Sequence, residues 1–233
     1  MHTEVSIVAA PGRSPRVSAA GGIAVRQTGP HTVHLIGTAA TPLGGDTVRI
    51  VVDVTAGARL EVRTVAAMIV LPSAQRTDSE SAWDLTVGEG ARLLVDPEPT
   101  VIAGGAAHRS TTTIAVAAAA SVTIGEHAQI GRSPGLNPAD DLGGWQSALH
   151  VDAEHRPLLR HRTAIGSASP TGLAHRGISS VFRFPDDRPE DVADAGYAAR
   201  LMLAAGGSLT TALAGSAAGA RHLCDELDVR ALV

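Results

Sequence analysis

Three stretches of this chain repeat one pattern, and the pattern narrows the fold more than any other feature. Residues 52–62 read VDVTAGARLEV, residues 85–95 read LTVGEGARLLV and residues 114–124 read IAVAAAASVTI. Aligned on Val54, Val87 and Val116, the copies are 33 and 29 residues apart. Each reads as strand, tight turn, strand. Gly57 and Gly90 can take the positive φ that such a turn needs, and Leu60/Val62 and Leu93/Val95 then resume the alternation. The third copy carries alanine where the others have the turn glycine. Helical arrays recur at similar intervals, but the period inside each copy here is two, not 3.6. Units of this size cannot bury an apolar face alone, so they stack. The sequence therefore predicts a mainly β body, either a β-helix-like solenoid or a two-sheet sandwich. The competing explanation is that any hairpin rich in Ala and Val would look the same.

The core must suit such a body. Hydrophobic residues make up 44% of the chain but aromatic ones only 2%, so the interior is built from Ala, Val, Leu and Ile, which fit closely layered strands. The best-marked strand follows TPLGGD: Val48, Ile50, Val52 and Val54 share one face, with Thr47, Arg49 and Asp53 on the other. Gly44, Gly45 and Asp46 form the turn before it. Residues 132–145, RSPGLNPADDLGGW, read as a loop, and residues 147–165 as a hairpin turning between Asp152 and Pro157. Beyond Pro185, a helix is expected over 189–205, with Pro189 in its first turn and Glu190 and Asp191 at its positive end. A second helix is expected near the C-terminus, capped by Ser216, with Ala220, Leu223, Cys224, Leu227 and Ala231 on its apolar face. The resulting division is a β body over residues 1–184 and a small helical part over 185–233.

Several function classes are excluded or unsupported. A net charge of −4 and few aromatics argue against a nucleic-acid binder. Cys224 is the single cysteine, which excludes an intramolecular disulfide and a Cys-rich zinc site and points to a cytoplasmic setting. The N-terminus lacks the charge and apolar run of a signal peptide, and no stretch suits a membrane-spanning helix. No P-loop, no G-x-G-x-x-G after a strand, no G-x-S-x-G and no H-E-x-x-H occurs. Ten histidines invite a metal reading, but His31 and His34 fall on opposite faces of a strand, and so do Glu126 and His127. His155 and His161 are separated by Pro157. Cys224 reads as core.

The order of motifs resembles the UreD/UreH urease accessory proteins. TPLGGD, the alternating strand and TAGARLEVRTVAA are similar to that family's glycine-rich turn ending in an acid, its strand and its T-x-A-A segment. The similarity continues through LTVGEGARLLVDPEPTVIAGGAAHR, through IGEHAQIGRSPGL with its G-R pair, and to RPLLRHR, roughly residues 28–165. Met68, Ile69 and Leu71 stand where the family has a small hydroxyl residue, a lysine and a tyrosine. Leu94, Asp96, Val101, Ile102 and Ala103 replace further aromatic and polar positions, and the chain resembles a divergent, compact member. The resemblance implies a maturation factor and not an enzyme. Such a factor works in a complex with a helical UreF-type protein and, through it, a UreG-type GTPase, and docks on apo-urease to assemble its nickel centre. It implies no stably bound cofactor, but transient Ni²⁺ passing through the interior. Oxygen or imidazole ligands would suit that transit, where thiolates would trap the ion. Matching motifs puts Asp46, Glu126 and His161 on the path, with turn capping the alternative for Asp46. Tyr197, Arg200, Leu201 and Met202 either meet a helical partner or pack on the body. Two other readings remain open, a β-solenoid carbohydrate-active enzyme and a self-associating β-stack.

Overall fold

The computed structural model describes residues 1–131, 143–169 and 175–230. The chain lays down β1 (His2–Ala9), β2 (Arg16–Ala20), β3 (Ile23–Gln27) and β4 (Thr32–Gly37). Three coils follow. The first is β5 (Thr47–Val54), β6 (Arg59–Val65) and β7 (Met68–Val70); the second is β8 (Asp78–Val87), β9 (Arg92–Asp96) and β10 (Thr100–Ile102). The third is β11 (Ala107–Val116) and β12 (Ser121–Ile130). A hairpin, β13 (Gly144–Ala153) and β14 (Arg156–Gly166), leads to β15 (Gly177–Phe184), β16 (Asp191–Val192), β17 (Tyr197–Met202), β18 (Ser208–Ala214) and helix α1 (Ala217–Arg230).

The coils build two sheets. One has seven strands in the order β14-β13-β11-β8-β5-β1-β2. The other has eleven, its main path running β16-β17-β18-β15-β12-β9-β6-β4-β3 with β7 and β10 attached beside β12. The repeat seen in the sequence is a physical stack. Val54 is the register partner of Val87, and Val87 of Val116, in parallel pairing. Each valine is at most 3% exposed, so the aligned positions are one buried column. The turns stack as well: Gly57 N–H donates to Glu89 O and Gly90 N–H to Ala118 O. Gly57, Gly90 and Ala119 hold the same left-handed conformation, at φ of 71°, 62° and 54°. The third copy thus keeps the turn despite its alanine.

The hairpin turns at Glu154 and His155, both at positive φ, as a type I′ turn requires. Helix α1 forms as the sequence predicts: Ser216 Oγ accepts from Gly219 N–H at 3.1 Å, and Ala220, Cys224 and Leu227 are buried. The helix expected over 189–205 is a correction. That segment instead carries strands β16 and β17, which pair antiparallel with each other, and β17 also pairs antiparallel with β18. Ala198 and Arg200 face inward and Tyr197 and Leu201 outward, an alternation of period two that overrides the helix propensity of Ala, Leu, Met and Arg. The loop expected over 132–145 falls mostly on residues outside those described, as does Ala231. No helix among the described residues is long and apolar enough to cross a membrane.

The apolar core is divided. One cluster fills the end near the repeat turns, with Val54, Val87 and Val116 at its base. A smaller one, including Val70, Ile102, Trp145 and Ile165, fills the opposite end. A polar belt lies between them.

Candidate functional site

The belt arises from strand register. Ser81, Ser110, Ser147 and Thr163 are successive cross-strand partners on the inner face of the seven-stranded sheet. Beside that row His108 is buried, its ring nitrogens 2.9 Å from Ser79 Oγ and 3.0 Å from Ser81 Oγ. Burial lowers His108 to about 4, so its ring is neutral near pH 7. Hydroxyls inside a β body lose water, and each needs a partner.

From the facing sheet Glu126 supplies one. Its carboxylate accepts from Ser147 Oγ at 2.9 and 3.0 Å and from Thr112 Oγ1 at 3.2 Å. Burial raises its pKa, against the lowering effect of those two hydroxyls. Glu126 faces a cavity of about 530 Å³ between the sheets, lined also by Ser81, Ser110 and both tryptophans, Trp83 and Trp145. Met68, Ile69 and Leu71, the positions where the motifs depart from the family's polar residues, line the same cavity and make that part apolar.

The eleven-stranded sheet is interrupted beside this cavity. β9 pairs with β12 only over Ser121–Ile124, and β10 only over Ala128–Ile130. Gly125, Glu126 and His127 are left without a strand partner on that side. Prolines cause the break: Pro97 and Pro99, in DPEPT, have no N–H to give a ladder. The same interruption reaches the preceding coil, where Glu98 N–H donates to Thr64 Oγ1 at 2.7 Å. Thr64, Ala66, Pro97, Glu98, Gly125 and His127 all line the cavity, so it reaches this window in the sheet.

Alternation along β12 separates Glu126 from its neighbour, as the sequence predicts. Glu126 bonds to the seven-stranded sheet, whereas His127 Nδ1 lies 2.9 Å from Ser179 Oγ on β15. Asp96 stands beside His127 and accepts from Arg63 Nη1 at 2.7 Å and from Arg221 Nη2 of α1 at 2.6 Å. Burial would raise Asp96, but the His127 ring and the two guanidiniums outweigh it and hold the acid at about 2.

The three residues matched to the family's path are not brought together. Asp46 is buried in its turn: Oδ2 accepts from Leu43 N–H at 2.8 Å and Thr41 Oγ1 at 2.9 Å, and Oδ1 takes the N-terminal amine. Burial pushes its pKa up, and these donors together bring it below the ordinary carboxylate value. Gly44 precedes it because a Cβ there would meet the Arg76 carbonyl oxygen at 1.7 Å, and Gly45 takes φ of 92°. His161 lies on edge strand β14, opposite Leu149, and burial lowers its pKa. Neither residue lines the cavity. Among the described residues no three His, Cys, Asp or Glu side chains converge on one ion. Cys224 is buried in the core, and burial pushes its thiol up to about 11.

Sequence reasoning missed the serine row, His108, Asp96 and Arg221. Only the two prolines of DPEPT signalled the window. Arg200 is fully buried, donating to Pro189 O and Leu227 O at 2.8 Å each, whereas Tyr197 and Leu201 are exposed.

Comparison with known proteins decides the family. The family model described as UreD urease accessory protein matches residues 20–228. The chain belongs to the UreD family. Among its relatives, a urease accessory protein UreD of Parafrankia sp. (strain EAN1pec) is 40% identical over 146 residues, 63% of this chain and 48% of that protein. Against this relative the match spans about half of its length. Urease accessory protein UreD 1 of Saccharopolyspora erythraea is 33% identical, covering 86% of this chain and 79% of its own. UreD 3 of Streptomyces griseus subsp. griseus is 31% identical, covering 91% and 88%. In this UreD-family chain Glu126 stands in IGEHAQIGRSPGL, one of the stretches that carry the resemblance.

Proposed function

We propose that this chain is a urease maturation factor that conducts nickel, as cargo, through the space between its two sheets. The observation that carries this reading is Glu126, a carboxylate inside the body, held by two hydroxyls at a cavity that reaches a window in one sheet. An ion entering this cavity exchanges water for oxygen ligands. Burial raises the pKa of Glu126, so a proton competes with the ion for its oxygens and the ion is held weakly enough to leave. The buried, protonated thiol of Cys224 offers no competing trap. In this reading Asp46 serves the turn, and His161 stands about 10 Å from Thr112, two strands away at about 4.8 Å each. The chain acts with a UreF-type protein and a UreG-type GTPase on apo-urease. Membership in a family of accessory proteins sets this role above a carbohydrate-active enzyme or a self-associating stack.

The two tryptophans at the cavity supply a direct assay. Ni²⁺ should quench their fluorescence, and the apparent affinity should rise with pH as Glu126 loses its proton. Glu126→Gln should weaken quenching, flatten the pH dependence and lower the nickel content of co-expressed urease. Normal nickel loading by the Gln variant would overturn the proposed passage.

A further inference from the structure

The window holds a second group that the passage through Glu126 does not use. His127 has a side chain 1% exposed, and its Nε2 is buried with no hydrogen-bond partner among the described residues. A buried imidazole nitrogen left this way is uncommon. Its other nitrogen is fixed by Ser179 Oγ at 2.9 Å. Beside it stands Gly125, where a Cβ would come within 2.8 Å of Nε2 and 3.5 Å of Asp96 Oδ1. The missing side chain thus keeps a space open between these two atoms, and Gly125 and His127 both line the cavity. Nε2 and Asp96 Oδ1 are 3.5 Å apart. Two donors each about 2.1 Å from a first-row divalent ion stand about 3.4 Å apart at a tetrahedral angle.

We infer that His127 is a transit ligand: its Nε2 receives a divalent cation that leaves Glu126 through the window in the eleven-stranded sheet. This rests on the passage proposed above. In the receiving state Nδ1–H donates to Ser179 Oγ, which leaves the Nε2 lone pair toward the window, the arrangement by which outer partners orient metal-binding histidines. Asp96 contributes little net attraction, since Arg63 and Arg221 already match its charge. The ion is therefore passed on and not stored. Arg221, on α1, sets that balance.

The test uses ¹⁵N-histidine-labelled chain titrated with Zn²⁺ as a diamagnetic probe, together with nickel loading of co-expressed urease. Zn²⁺ should shift the His127 Nε2 resonance, and Arg221→Gln should shift the titration to lower Zn²⁺ by freeing Asp96. His127→Gln, and Gly125→Ala which fills the space without removing a donor, should each lower nickel loading by tenfold or more, as losses around a metal ligand do. An unmoved Nε2 resonance overturns the inference on the wild-type chain alone, whatever the variants do. Normal loading by the His127 and Gly125 variants with impaired loading by Glu126→Gln would remove His127 and leave the passage intact. Normal loading by all three would remove both.

Discussion

His108 offers the sharpest test of the polar belt. Its ring lies between Ser79 and Ser81, and burial lowers it from 6.5 to about 4. The folded value is below the unfolded one, so the unfolded chain takes up a proton that the folded chain refuses. The stabilising effect is complete above about pH 6.5 and is lost as pH falls toward 4. The full difference corresponds to about 3 kcal/mol, and about 2 kcal/mol of it falls between pH 7 and 5. His108→Gln keeps one hydrogen bond to a serine and does not titrate. Urea unfolding at pH 7, 6 and 5 should show the variant less stable at pH 7 but losing about 2 kcal/mol less than wild type on acidification. Taking the difference between the two chains cancels every other titrating group. Parallel stability-against-pH curves, or a His108 ring that titrates near 6.5 in the folded state, would refute the reasoning.

The repeat turns and the buried arginine give two more expectations. Ala119→Gly should stabilise the fold by roughly 0.5–1 kcal/mol, since relief of left-handed strain outweighs the added freedom of the unfolded chain. Gly90→Ala should cost about 1 kcal/mol from φ alone, because nothing lies within 4 Å of the added Cβ. Thermal unfolding of both variants separates the signs. Arg200→Met removes the donors to Pro189 O and Leu227 O, tying strand β17 to helix α1, and should destabilise by about 2–4 kcal/mol. A calorimetric change under 1 kcal/mol would mean that water replaces those bonds.

The stacked architecture was legible because it is written locally. Two-residue alternation around Val54, Val87 and Val116, with Gly57 and Gly90 three residues after the first two, determines strand, turn and strand without distant information. The same locality exposed the Glu154–His155 hairpin and the Ser216 cap. It misled over residues 189–205, where helix-forming side chains lie in strands because β18 offers β17 a partner that the segment alone does not reveal. The site shows a similar division. Glu126 and His127 could be placed on opposite faces of a strand from spacing alone, and Glu126 could be singled out by motif. Its hydroxyl partners could not, because Thr112 and Ser147 come from two other strands and meet it only across the sheets.

What the sequence determined by itself, then, is the unit: a short apolar ribbon that must stack, since one copy cannot cover its own face. Where the stack leaves a gap depends on contacts between strands far apart in the chain. Parallel register set serines in a row, and two prolines opened the facing sheet beside them. A carboxylate and an imidazole adjacent in the chain came to front a common cavity from opposite sides of one strand. Contacts between strands depend on three-dimensional register, and no single stretch of residues encodes it.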